Sequence, residues 1–247
     1  MTKWVDGRGK CPYSPNANSS ALMTDTGDYF IGSSTDFSST DHAIYRMSGS
    51  DFGDLLRTVQ YNSLWLAQPN FVGSFETNDF VYFVFRETAV EYINCGKAVY
   101  SRIARVCKSD KGGTSVRKDS WTTFLKARLN CSIPGDYPFY FNEIQSINFL
   151  KSESIVYAAF TTPENSIAGS AVCSFNLTAV EDALNGPFKK QSKPDSAWGP
   201  VSVDHSHFQC KIGQPPHQSA NSMEYQLVDQ AVQSSTNGPL YHVSNFF

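Results

Sequence analysis

The sequence predicts an all-β protein, and three observations carry that expectation. Aromatic residues make up 14% of the 247 residues, with 18 Phe and 12 Tyr, whereas charged residues reach only 17%. Aromatic and β-branched side chains suit a pleated, half-buried surface. Short alternating aromatic runs follow small polar turns at several points along the chain, and stretches with helical spacing are few.

In chain order, Thr26-Gly27-Asp28 opens a strand over Tyr29 to Gly32, and a second runs through Ala43-Ile44-Tyr45-Arg46. Thr77-Asn78-Asp79 opens Phe80 to Phe85, followed by Ala98-Val99-Tyr100, Ser101 to Cys107, and Phe124 to Leu129. Ser152-Glu153-Ser154 opens Ile155 to Phe160, and Ala171 to Phe175 closes the series. Gly, Asn, Asp, Ser or Pro clusters bound each run. The first two turn-and-strand signatures lie about 50 residues apart, near the repeat length of propeller blades. Blades bury their faces by stacking on neighbours. A β-sandwich shows short strands at similar density, so periodicity leaves both architectures open.

Two helices are predicted. Thr178 to Leu184 puts Val180, Ala183 and Leu184 on one face, with Thr178 as N-cap and Asn185-Gly186-Pro187 as a stop. Met223 to Val232 places Leu227, Val228 and Ala231 at helical spacing. The polar stretch from Lys189 to Ser222 reads as a surface excursion.

A net charge of -3 gives no general attraction for nucleic acid or anionic membrane, so neither is expected as a partner. No apolar run reaches the roughly 18 residues of a membrane helix, and the N-terminus has no apolar leader region. Sequons at Asn18, Asn130 and Asn176 nominate N-glycosylation. Six cysteines, Cys11, Cys95, Cys107, Cys131, Cys173 and Cys210, stand singly with no C-x-x-C, the pattern of disulfides. Six allow fifteen pairings, and spacing does not choose among them. His205-Ser206-His207-Phe208-Gln209-Cys210 is the nearest thing to a metal motif, but a solvated loop is the plainer reading, and no metal or cofactor is expected. The compartment is expected to be oxidising and extracellular, which makes a chain without a leader a fragment of a longer protein.

Catalytic readings find little support. Glu87 and Glu91 are four apart but flank a strand-like ribbon, where a solvated pair is expected rather than an acid and base. Lys111-Gly112-Gly113 lacks P-loop spacing and reads as a flexible turn. There is no G-x-S-x-G, H-E-x-x-H or dinucleotide fingerprint. No enzyme and no small-molecule substrate are expected.

Longer stretches carry a resemblance. They are Gly9-Lys10-Cys11-Pro12-Tyr13-Ser14-Pro15, Arg57-Thr58-Val59-Gln60-Tyr61-Asn62-Ser63, Pro69-Asn70-Phe71-Val72 and Val81-Tyr82-Phe83-Val84-Phe85-Arg86-Glu87. Ile103 to Gly113, Trp121 to Cys131 and Pro138 to Gln145 continue the series. Together they resemble the sema domain of semaphorins, and Glu91-Tyr92-Ile93-Asn94-Cys95-Gly96-Lys97-Ala98 looks most like the invertebrate class 1, membrane-anchored members. The resemblance implies a partial seven-bladed β-propeller, since seven blades of about 45 residues need roughly 315. On this pattern residues 1–188 hold blades two to four, and 189–247 hold the start of the fifth blade and its inserted extrusion.

The same resemblance implies disulfides Cys107 to Cys210 and Cys131 to Cys173. The first departs from the family wording, because His207-Phe208-Gln209 precedes Cys210 where Pro-Gly-Thr is usual. It leaves Cys11 for a partner outside this chain. For Cys95 three options stay open: a buried free thiol, a bond to another chain, or a bond to Cys11. The implied function is an extracellular guidance ligand that binds a plexin receptor and acts as a homodimer when full length. Trp65, Glu76, Asn78 and Asp79 are nominated for the receptor surface, against core packing for Trp65 and a solvated hairpin turn for the others. A propeller glycosidase and a homophilic adhesion module are the alternatives. As an open propeller arc, the isolated chain is expected to expose apolar blade faces and to be unstable.

Overall fold

The computed structural model describes residues 7, 9–48, 54–114, 117–210 and 224–244. A first sheet is an antiparallel meander of β1 (Ser20–Met23), β2 (Tyr29–Ser34), β3 (His42–Ser48) and β4 (Asp54–Arg57). The second continues with β5 (Asn70–Glu76), β6 (Phe80–Thr88), β7 (Val99–Cys107) and β8 (Leu125–Asn130), with a 3-10 turn at Val90–Cys95 between β6 and β7. A small hairpin, β9 (Ser132–Ile133) and β10 (Phe139–Tyr140), leads to the third sheet. That sheet holds β11 (Glu143–Leu150), β12 (Ile155–Thr161) and β13 (Gly169–Asn176), after which comes helix α1 (Leu177–Leu184). The hairpin β14 (Phe188–Gln191) and β15 (Trp198–Val201) follows. Finally β16 (Val232–Gln233) lies parallel against β8, and β17 (Tyr241–Ser244) completes the third sheet beside β13.

The second sheet is buried on both faces, and the two-residue period of its strands sorts side chains between two cores. Val81, Phe83 and Phe85 pack with Phe30, Ile44, Trp65 and Trp121 toward the first sheet. Tyr82 and Val84 pack with Ile144, Phe160 and Phe175 toward the third. Close approach between sheets depends on two glycines. A Cβ at Gly32 would stand 2.6 Å from the Phe71 ring, and one at Gly73, beside a β-bulge, 2.5 Å from Ile147.

α1 forms as expected, with Leu177, Val180, Ala183 and Leu184 buried. Its cap is Asn176 rather than Thr178: Asn176 Oδ1 accepts from Thr178 N at 2.9 Å. The second expected helix is absent over its described residues, and Met223 lies outside them. Leu227 and Val228 instead bridge to Lys126 and Phe188, because an open backbone edge offered partners that an isolated helical turn would lack. The glycine turn is not loose. Gly112 has φ +79°, and Asp110 accepts from Gly112 N and from both the backbone and hydroxyl of Thr122 and Thr123.

Candidate functional site

The hairpin joining β5 and β6 turns at Thr77, Asn78 and Asp79. Thr77 N donates to Phe80 O at 2.9 Å and Lys108 N donates to Asp79 O at 2.9 Å, which fixes the turn against the end of β7. Asn78 and Asp79 are exposed, while Glu76, half-buried, is paired with Lys108 at 2.5 Å. Behind the turn lies a cleft of about 580 Å³ whose lining includes Glu76, Asp79, Arg105, Lys151, Glu181 and Cys210.

Arg105 forms the floor. It is buried, stands 4.5 Å from the Phe80 ring centre, and donates to Asn185 Oδ1 at 3.0 Å. Burial lowers its pKa, with Tyr82 and Glu181 opposing. Burial also raises the Tyr82 phenol, which donates to Glu181 Oε1 at 3.4 Å. The arrangement sets the exposed acceptors of Asn78 and Asp79 on a rim held by backbone bonds. Among the described residues of this lining the one guanidinium, Arg105, is sealed beneath it.

Trp65 is not part of that rim. It is 2% exposed and stacks on Phe124 with ring centres 5.1 Å apart, so its nomination as a receptor contact is corrected to a core role. The expectation of solvated glutamates is corrected as well. Glu87 is buried and accepts from Arg102 Nε at 3.0 Å, Lys126 Nζ at 2.5 Å and Ala67 N at 2.9 Å. Glu91 takes Arg102 Nη2 at 2.7 Å. Burial alone would lower the Arg102 pKa, but Glu91 and Glu87 override it and the net shift is upward. Sequence reasoning passed over Arg102, Arg105 and Lys126. Charged residues inside strands buried on both faces were the available signal, since such charges must find internal partners.

The cysteines resolve into two bridges and two free thiols. Cys107 and Cys210 are joined, with Cα atoms 5.4 Å apart, and Cys131 and Cys173 are joined at 5.9 Å. Cys11 and Cys95 are free and exposed. A buried thiol at Cys95 and a bond between it and Cys11 are therefore set aside. His205, the nearer half of the metal motif, stacks on Phe188 with ring centres 4.4 Å apart, and Cys210 is committed to its bridge.

Of the three sequons, Asn18 and Asn176 are exposed. Asn130 is half-buried at the end of β8, and its amide donates to Gln233 Oε1 at 2.6 Å. Its own Oδ1 is buried without a partner.

The profile of the family described as Sema domain matches residues 143–246. Semaphorin 5c of Drosophila melanogaster is 51% identical over 235 residues, covering 94% of this chain and 21% of that protein. Semaphorin-1A of the same fly is 53% identical over 204 residues, covering 80% of this chain and 22% of that protein. In a solved structure of Drosophila Plexin A in complex with Semaphorin 1b, one chain is 41% identical with TM-score 0.85, covering 99% of this chain and 48% of that one. The chain thus spans about a fifth of the length of these two curated relatives. Its sheets are part of a β-propeller, and the chain belongs to the semaphorins as a partial sema domain.

Proposed function

We propose that this chain is the receptor-facing part of an extracellular guidance ligand that binds a plexin and acts in axon guidance from the cell surface, without catalysis. One observation carries the reading: nearly the whole chain is similar to a chain in a complex of Plexin A with Semaphorin 1b. On this reading the three large sheets are blades two to four, and the stretch from residue 189 onward begins the fifth blade and its extrusion. Glu76, Asn78 and Asp79 then stand at the receptor surface. Backbone bonds from Thr77 and Lys108 tie down the hairpin that carries them, which limits the conformational entropy lost on binding there.

The signalling unit on this reading is a homodimer. Two copies present two receptor surfaces, and the second engagement is intramolecular, which raises avidity without a new contact. Cys95 is the interchain candidate, because its thiol is exposed at the end of a turn that also exposes Ile93. Cys11 pairs with a segment outside this sequence. Surface plasmon resonance of the full ectodomain on immobilised plexin tests the receptor surface. The Glu76→Arg, Asp79→Arg double variant is expected to weaken binding by about tenfold or more. Unchanged affinity would remove the hairpin from the interface, and no binding by the wild-type ectodomain would end the plexin reading. For the dimer, Cys95→Ser is expected to abolish a reducible dimer band, and a wild type without that band refutes the interchain bond.

A further inference from the structure

Among the described residues a second cleft, of about 510 Å³, is lined by parts of the Val90–Cys95 turn, β7, β8 and the β14–β15 hairpin. Three cations, Arg102, Arg128 and Lys189, and three carboxylates, Glu91, Asp195 and Asp229, line it, and among the described residues neither Arg128 nor Asp195 has an ion-pair partner. Arg102 and Lys126 are matched by Glu87 and Glu91, and Lys189 by Asp229 at 3.0 Å. Among the described residues Arg128 has no ion-paired carboxylate, and Glu91 acts on it only from a distance. Its Nη2 donates to Asn142 Oδ1 at 3.1 Å, and its guanidinium carbon stands 3.7 Å from the Tyr100 ring centre and 5.0 Å from that of Tyr140. Burial lowers its pKa, as it does for a cation withdrawn from water without full compensation. Two buried donors of the same wall, Arg128 Nε and Trp198 Nε1, have no acceptor.

These features select the charge and the shape of a ligand. Rings beside a guanidinium hold its plane, so pairing with a planar carboxylate loses little further freedom. The indole of Trp198 with Val228 and Ala231 supplies an apolar strip for a short aliphatic stem. Glu91, Asp195 and Asp229 line the same space and repel an anion in proportion to its charge, a doubly charged one most. A phosphate therefore fits poorly, and a lone carboxylate on a short stem fits well. We propose that this cleft receives an aspartate or glutamate side chain from an extended segment of a protein partner, with Arg128 pairing its carboxylate. The site is separate from the hairpin rim nominated for the receptor and does not depend on that reading.

Isothermal titration of the full ectodomain with a capped hexapeptide holding two central glutamates is the test. The peptide is expected to bind, more weakly as salt is raised, and its all-glutamine analogue is expected not to. Arg128→Gln should weaken binding by about tenfold, with Arg128→Lys between it and wild type, since the lysine keeps the charge but loses the fork. Asp195→Asn, which removes a repelling charge from the lining, should tighten it by about threefold. Should Arg128→Gln fail to fold, the Lys and Asn variants and the glutamine peptide still decide the matter. Equal binding of the glutamine peptide, indifference to Arg128, displacement by inorganic phosphate at equal concentration, or no peptide binding would each overturn the assignment.

Discussion

Lys126 Nζ lies 2.5 Å from Glu87 Oε1, and neither side chain has exposed surface. Lys126 also donates to Trp65 O at 2.8 Å, so the carboxylate ties β6, β7, β8 and the loop before β5 together. Neutralising one member leaves the remaining charges buried and unmatched. Glu87→Gln is expected to cost about 3–5 kcal/mol in urea unfolding. Asp229→Asn, which breaks the partly exposed pair with Lys189, should cost no more than about 1 kcal/mol. Similar costs for the two would show that the buried cluster is not a coupled unit.

Trp65 makes a complementary case. With its ring against Phe124 and 2% exposure, Trp65→Ala should lower stability by about 3–5 kcal/mol through lost packing. Thermal melting reads the loss, and Trp65→Phe should recover much of it. Plexin affinity of the folded Phe variant is expected to match wild type.

The two bridges close loops of different length, with sequence separations of 103 for Cys107 to Cys210 and 42 for Cys131 to Cys173. Chain entropy alone assigns about 4.7 and about 3.9 kcal/mol to them. Replacing each pair by alanine should therefore destabilise the ectodomain more at the longer loop. The reverse order in denaturant titrations would point to native packing, not loop closure, as the dominant effect.

Glycan placement follows from amide geometry. Attachment at Asn176 Nδ2 leaves Oδ1 free to keep capping α1, and Asn18 retains one N–H for its bond to Asn70 Oδ1. Asn130 has its amide turned into the sheet edge. Peptide mapping of secreted protein should find sugar on Asn18 and Asn176 and none on Asn130; full occupancy at Asn130 would contradict this.

Acid should weaken the attachment of the Val90–Cys95 turn. Burial raises the Glu91 pKa, but Arg102 outweighs it and the net shift is down from 4.5. A carboxylate shifted down in the folded state contributes stability above its unfolded value, and that contribution is lost as pH falls through the folded value. Stability measured from neutral pH into the acid range should drop less steeply below about pH 4.5 in Glu91→Gln than in wild type. Parallel curves would show that Glu91 is not coupled to folding.

The strands were legible because aromatic alternation and polar turns are local, and Tyr29, Phe80 and Ile155 each begin a strand where the turn signals placed them. The expected breaks were less reliable: Ala98 to Tyr100 and Ser101 to Cys107 merge into β7 except for Ala98. What escaped depends on distant partners. Leu227 and Val228 show helical spacing, yet their conformation is decided by Lys126 and Phe188, far away in sequence. Glu87 and Glu91 look like a surface pair until Arg102 and Lys126 are brought against them by strand pairing. In the site, Asn78 and Asp79 were readable as an exposed turn, whereas the sealed Arg105 beneath them was not. Its burial comes from the third sheet and α1 closing over β7.

The late pairing of β16 on β8 and of β17 on β13 has a consequence for biosynthesis. While the chain is being made, the outer backbone edges of β8 and β13 stand open until residues beyond Cys210 have left the ribosome. Cys107 likewise waits for its sulfur partner across that interval. Open strand edges are templates for wrong pairing. For as long as translation of that last stretch takes, two strand edges and one thiol of the nascent sheets stay without their native partners.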